Sequence, residues 1–145
     1  LTLSQNGTPH VETATLVECA AQGPVRVGLA RTPICADNLF LRHKTTRREV
    51  YDRARAERPD CDEVILWNEA GMLTETTIAN LVVRCGDEWV TPPLECGLLP
   101  GIQRSILIEQ GKIREQAIPR DALTPTVEIA LISSLRGWRN AVLMP

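Results

Sequence analysis

Lysine is nearly missing from this 145-residue chain: of sixteen basic residues only Lys44 and Lys112 are lysines, and the other fourteen are arginines. Arginine serves wherever only a positive charge is wanted, whereas an amine can deprotonate and attack and a guanidinium cannot. The two lysines are therefore the positions to examine for amine chemistry. Long apolar runs are also missing, none approaching the roughly 20 residues of a membrane-spanning helix. Sixteen basic residues against eighteen acidic ones leave a formal charge of −2, which offers no broad basic surface to a phosphate backbone. Neither a membrane nor a nucleic acid is an expected partner. Cys19, Cys35, Cys61, Cys85 and Cys96 form no CxxC pair, and His10 and His43 are the only histidines, so no zinc site is expected. No signal-peptide pattern opens the chain; the thiols read as reduced, small core residues and the protein as cytoplasmic.

What is present is ordinary globular composition, 43% apolar and 23% charged, in a length suited to one domain. The chain begins without Met inside a strand-like stretch and reads as a fragment of something longer. Residues 1–24 read as a strand, an Asn6-Gly7 turn, a second weak strand and a Gly23-Pro24 break. Val25–Ala30 reads as a buried strand, and Asn38–His43 alternates as a strand ending at Lys44. Thr46 and Glu49 have capping-box spacing for a helix to about Arg58, stopped by Pro59-Asp60. Strands follow over Glu63–Asn68, Met72–Glu75, Leu81–Val83 and Glu88–Val90. A helix is predicted over Ile102–Gln110, closed by Gly111, and then strands over Ile113–Ile118, Val127–Ile132 and Trp138–Leu143. The class is α+β, a strand-rich mixed domain.

His43-Lys44-Thr45-Thr46-Arg47-Arg48 sets an amine beside two guanidiniums. Neighbouring positive charge disfavours an ammonium, and a neutral amine can form a Schiff base with a carbonyl compound; a solvated basic cluster is the alternative. Glu75, read by itself, is a surface carboxylate at a strand end. Gly101 opening a helix frees N–H groups for an anion, or simply makes a turn. Trp67, Trp89 and Trp138, spread over separate strands, read as core or rim packing. Asp60, Asp62 and Glu63 form an acidic start to a strand with no metal partner.

In order, the lysine segment, Gly71-Met72-Leu73-Thr74-Glu75-Thr76-Thr77-Ile78-Ala79-Asn80, Leu98-Leu99-Pro100-Gly101-Ile102-Gln103-Arg104 and Leu131–Arg139 resemble the C-terminal half of the class IV (fold type IV) aminotransferases. This pyridoxal-phosphate family includes branched-chain aminotransferase, D-amino-acid aminotransferase and aminodeoxychorismate lyase. The likeness covers about residues 25–143 and is strongest to the lyase domain of bifunctional p-aminobenzoate synthesis proteins. It implies a fold like the large C-terminal domain of D-amino-acid aminotransferase-like enzymes. Residues 1–24 would be the tail of a missing N-terminal domain and its linker, and 25–145 the cofactor-binding domain.

The same resemblance implies that Lys44 carries pyridoxal phosphate and acts as nucleophile and base. Glu75 would pair with the pyridine nitrogen, and the backbone at Gly101, Ile102 and Gln103 would hold the phosphate with the Ser134 hydroxyl. Arg48 falls where relatives carry Tyr or Arg near the cofactor, or else sits on a helix face. Ser133 falls at a substrate position where the lyases commonly carry Asn, and Asn80 would brace its own turn. The implied reaction converts the small-molecule substrate 4-amino-4-deoxychorismate to p-aminobenzoate and pyruvate. The alternatives are a branched-chain or D-amino-acid aminotransferase and a non-catalytic binding domain. A homodimer is implied at full length, with weak cofactor binding and little activity for this piece alone.

Overall fold

The computed structural model describes residues 2–14 and 23–145; part of the expected second strand of the N-terminal segment, and Cys19, fall outside them, while the Gly23-Pro24 break lies within them just before the first strand of the body. A short hairpin comes first, β1 (Thr2–Leu3) with β2 (Pro9–His10) around Gly7. The body follows as β3 (Val25–Leu29), α1 (Glu49–Glu57), β4 (Glu63–Trp67), β5 (Leu73–Thr76), β6 (Asn80–Cys85), β7 (Glu88–Thr91), α2 (Ile102–Glu109), β8 (Arg114–Glu115), β9 (Ile129–Ser133) and β10 (Gly137–Leu143).

The body's strands form one sheet in the order β5-β4-β3-β10-β9-β6-β7-β8, and β5 also pairs with β6. Six strands therefore close on themselves into a barrel-like ring, with β7 and β8 continuing from β6. Closure rests on a single residue pair, Glu75 with Asn80. Strand β10 runs parallel to β3, and β3 to β4; the rest of the ring is antiparallel.

Period-two alternation divides the strands between interior and exterior. Ile65, Leu81, Val83, Ile129 and Leu131 pack inside the ring. Their neighbours Val64 and Leu66 meet Tyr51 and Ala54 of α1, and Val82, Ala130 and Ile132 meet Leu107 of α2. Strand β5 breaks this rule. Leu73 pairs with Trp67 and Thr76 with Ile65, so three steps on β5 oppose two on β4. A bulge of this kind reverses the sense of the side chains beyond it. Leu73 packs in the interior, and Glu75 turns to the helix side to meet Tyr51 and Asn80.

Several sequence expectations need correction. Asn38–His43 is no strand: the Asn38 side chain accepts from the Phe40 N–H and starts a 3-10 turn over Leu39–Leu41. Local side-chain capping overrides a six-residue alternation, and Lys44 lies in the loop before α1 rather than at a strand end. The Thr46–Glu49 capping box does not form either, because α1 has Arg48 at its N-cap with no side-chain cap. Thr45 Oγ1 instead accepts from the Arg47 N–H at 3.2 Å. Of Ile113–Ile118 only Arg114–Glu115 is strand; Ile118 packs in the interior, and its carbonyl accepts from Leu73 N–H. Cys61 and Cys96 are buried, but Cys35 is exposed and Cys85 half-buried. Trp89 and Trp138 fit the expected core or rim packing: Trp89 packs against the Val82–Leu107 cluster, and the two rings meet edge-to-face with centres 5.0 Å apart. Among the described residues no helix is long and apolar enough to cross a membrane, and no cluster of side chains could hold a metal ion.

Candidate active site

A cavity of about 710 Å³ opens on the helix side of the ring, between the loop before α1, the β5–β6 turn, the start of α2 and the β9–β10 turn. All eight residues singled out from sequence line it: Lys44, Arg48, Glu75, Gly101, Ile102, Gln103, Ser133 and Ser134. The residues lie far apart in the chain, and strand closure brings them together.

Glu75 is the polar centre of the cavity wall. It is only 4% exposed. Its Oε1 accepts from the Tyr51 hydroxyl at 2.8 Å and from the Leu99 N–H at 3.2 Å, and its Oε2 from Asn80 Nδ2 at 3.3 Å. Burial pushes the carboxyl up to about 7, while the Tyr51 and Leu99 hydrogen bonds and the charges of Lys44 and Arg48 pull the other way. Burial, together with the charge and hydrogen bond of Glu75, raises the Tyr51 phenol well above its ordinary value. Such a carboxylate is poised to hold or release a proton near neutral pH.

Asn80 does more than brace its own turn. Its Nδ2 also donates to the Leu99 carbonyl at 2.9 Å, so one amide ties the carboxylate to the segment that enters α2. Gly101, the N-cap of α2, has extended backbone and no side chain capping the helix. A Cβ there would collide with Asn80 Oδ1, which makes glycine the residue the close approach requires. The first-turn N–H groups of a helix lack intrahelical partners and carry partial positive charge. Ile102 and Gln103, in this first turn, line the cavity. Arg104 anchors the turn from behind, buried, donating to the Pro92 carbonyl at 2.8 Å and paired with Glu115.

Arg48 is half-buried and committed to the wall: it donates to the Thr77 carbonyl at 2.6 Å and lies 4.8 Å over the Tyr51 ring. Lys44 is exposed to the cavity. Ser133 ends β9 and accepts from the Arg136 N–H at 3.2 Å; Ser134 begins the turn to β10 and is exposed. Lys112, the second lysine, is exposed and does not line the cavity. Sequence reasoning missed Tyr51 and the bridging role of Asn80. The chain's single tyrosine, in a helix that follows the lysine segment, was the available signal for the first.

An amine, a buried carboxylate and an uncapped helix N-terminus in one cavity match a known family. The description "amino-transferase class IV" fits residues 4–143. The chain belongs to the class IV aminotransferase family. A candidate aminodeoxychorismate lyase of Schizosaccharomyces pombe is 33% identical over 109 residues, 70% of this chain and 47% of that one. The aminodeoxychorismate lyase of Saccharomyces cerevisiae is 31% identical over 119 residues, 68% of this chain and 32% of that protein. Among solved structures, a candidate amino-acid aminotransferase from Mesorhizobium loti superposes with a TM-score of 0.82 at 37% identity, over 98% of this chain and 70% of that one. The branched-chain aminotransferase of Thermobaculum terrenum, in its pyridoxal-phosphate form, gives 0.75 at 18% identity over 88% of this chain and 45% of that one, and shares the fold. The chain spans between about a third and a half of the length of these two lyase relatives.

Proposed function

We propose that this class IV family member is the cofactor-binding part of a lyase that converts 4-amino-4-deoxychorismate to p-aminobenzoate and pyruvate with pyridoxal phosphate. The observation that carries this reading is the wiring of Glu75: one buried carboxylate, held by Tyr51, Leu99 and Asn80, in the same cavity as Lys44 and the start of α2. The names of the two yeast relatives support the choice of reaction.

The residues present fit the cofactor. At Gly101 a Cβ would strike Asn80, α2 has no side-chain cap, and Ile102, Gln103 and Ser134 line the same cavity, a donor set that suits a phosphate. Glu75 suits a protonated pyridine nitrogen, and Lys44 supplies the amine. Bound there, pyridoxal phosphate provides an electron sink for the carbon that bears the substrate's nitrogen.

The chain's own groups do the rest. Lys44 Nζ takes the proton from that carbon, so it must be neutral when free. Glu75, held in place by its three donors, would pair with a protonated pyridine nitrogen without having to reorganise. Arg48 holds Thr77 and hence the turn between Glu75 and Asn80. Ser133 offers its hydroxyl toward the substrate. On this reading residues 25–145 form the cofactor domain, an N-terminal domain completes the cleft, the full-length protein is a homodimer, and the protein works in the cytoplasm on a folate precursor.

The test is the visible spectrum of the full-length protein before and after borohydride. A yellow protein whose colour is lost in Lys44→Ala, and which releases p-aminobenzoate and pyruvate from 4-amino-4-deoxychorismate, supports the reading. A protein that stays colourless after reconstitution overturns it. Glutamate formed from 2-oxoglutarate without p-aminobenzoate assigns an aminotransferase instead.

A further inference from the structure

Glu63, the first residue of β4, is a buried carboxylate that the proposed chemistry does not use; it is only 6% exposed. A buried charge is costly unless it is paired and hydrogen-bonded, so its partners show what it holds. Among the described residues there are two: Oε2 accepts from the Thr77 hydroxyl, and Oε1 lies 3.9 Å from Arg55 Nη1. A guanidinium that distant, on an exposed side chain, contributes little. Thr77 is therefore the principal partner.

Thr77 is itself buried and lies in the turn between β5 and β6, two residues past Glu75. It is gripped on two sides, its hydroxyl by Glu63 and its carbonyl by Arg48, which donates at 2.6 Å. Arg48, Tyr51 and Arg55 follow one another at spacings of three and four residues, which sets them along one side of α1. From that side Arg48 reaches the Thr77 carbonyl, Tyr51 reaches Glu75 Oε1, and Arg55 approaches Glu63. Glu63 thus ties the turn to β4 while α1 holds it from above. Within the turn, Thr76 bonds to Ala79, and the strands on either side of it share the single pair Glu75–Asn80. A turn with so short a ladder needs an outside anchor if its carboxylate is to keep one position.

We infer that Glu63 is a positioning residue for the candidate active site: through the Thr77 hydroxyl it fixes the β5–β6 turn, and with it the places of Glu75 and Asn80. Glu63 does not line the cavity, so it acts through Thr77 and touches no ligand there. The inference rests on the cofactor reading only for what Glu75 holds.

The experiment uses the full-length protein and three variants: Thr77→Val, which keeps the shape and loses the hydroxyl; Thr77→Ser, which keeps the hydroxyl; and Glu63→Met, similar in length without the carboxylate. In the cofactor-free protein the Leu99 N–H donates to Glu75, and its hydrogen exchange reports whether that carboxylate is held. Exchange at Leu99 should quicken roughly ten-fold in Thr77→Val and Glu63→Met, the loss of one charge-assisted hydrogen bond being sufficient for that factor. The N–H groups of the β9–β10 ladder should keep their rates, and Thr77→Ser should match the parent. Titrated with pyridoxal phosphate and followed by visible absorbance, the Val and Met variants should bind several-fold more weakly. That loss should shrink below about two-fold when Glu75→Gln is already present, because the effect runs through that carboxylate. Leu99 exchange that is unchanged in both variants, or that quickens only in step with the ladder, overturns the inference, as does a binding loss that persists in full beside Glu75→Gln. A parent protein that never takes up the cofactor overturns the cofactor reading, and Leu99 exchange then decides the role of Glu63 by itself.

Discussion

Glu75 and Asn80 face each other across the only residue pair that joins β5 to β6, and the amide of one donates to the carboxylate of the other at 3.3 Å. The contact that closes the ring of strands is thus also a contact of the candidate active site. The bulge in β5 makes this possible by turning Glu75 away from the apolar interior.

The stability of the cofactor-free protein should fall as pH rises through the neutral range because of Glu75. Its carboxyl titrates near 7 when folded against an ordinary 4.5, so the folded form binds more protons between those values. Its contribution is fully present below pH 4.5 and is lost as pH rises through about 7, amounting to at most about 3 kcal/mol. Glu75→Gln should flatten this component of the profile in urea unfolding at stepped pH. A variant with the same slope as the parent would sink the assignment.

Tyr51→Phe removes the phenolic donor from Oε1 and leaves Leu99 N–H and Asn80 in place. The carboxyl should then titrate higher still, moving the pH at which stability is lost further upward, with a loss of roughly 1 kcal/mol at high pH where the carboxylate is charged. Carboxyl chemical shifts followed through a pH titration check the direction.

Gly101→Ala should cost roughly 1–3 kcal/mol through overpacking and weaken phosphate binding at the start of α2, since its Cβ strikes the Asn80 side chain. Adding Asn80→Ala should restore part of the stability. Melting temperatures of the two single variants and the double variant give the coupling; simple additivity would contradict the contact.

Gly28→Ala tests the opposite end of the fold. A Cβ on Gly28 would lie 2.7 Å from both Arg58 Cζ and Cys61 Sγ. The guanidinium cannot give way easily, being held by Asp60 and by the Pro145 carbonyl at 2.7 Å. A loss of about 1–3 kcal/mol is expected, read by thermal unfolding, with cofactor absorbance per folded molecule unchanged.

Much of the site was legible as motifs in order, because each motif reports a local backbone requirement: an amine in a loop, a glycine opening a helix, a carboxylate near a strand end. All eight residues named in advance line one cavity. What escaped was geometry that depends on other segments. The alternation of Asn38–His43 is too short to resist the Asn38 cap, so a 3-10 turn stands where a strand was expected. Nothing in Leu73–Thr76 announces a bulge, because the extra residue is defined only against Ile65 and Trp67 of β4. Tyr51 packs on the core-facing side of α1, and its hydroxyl reaches Glu75 only because the bulge presents that carboxylate.

Strand β10 is the last of the ring's strands in sequence order and sits between β3 on one side and β9 on the other. Ala141 pairs with Val25 across nearly the whole sequence, and contacts of such separation form late and slowly. The ring of strands therefore cannot close until Gly137–Leu143 has been made and has reached β3 and β9. Premature termination by even a few residues before Gly137 would leave β3 and β9 as open edges prone to pairing with other chains.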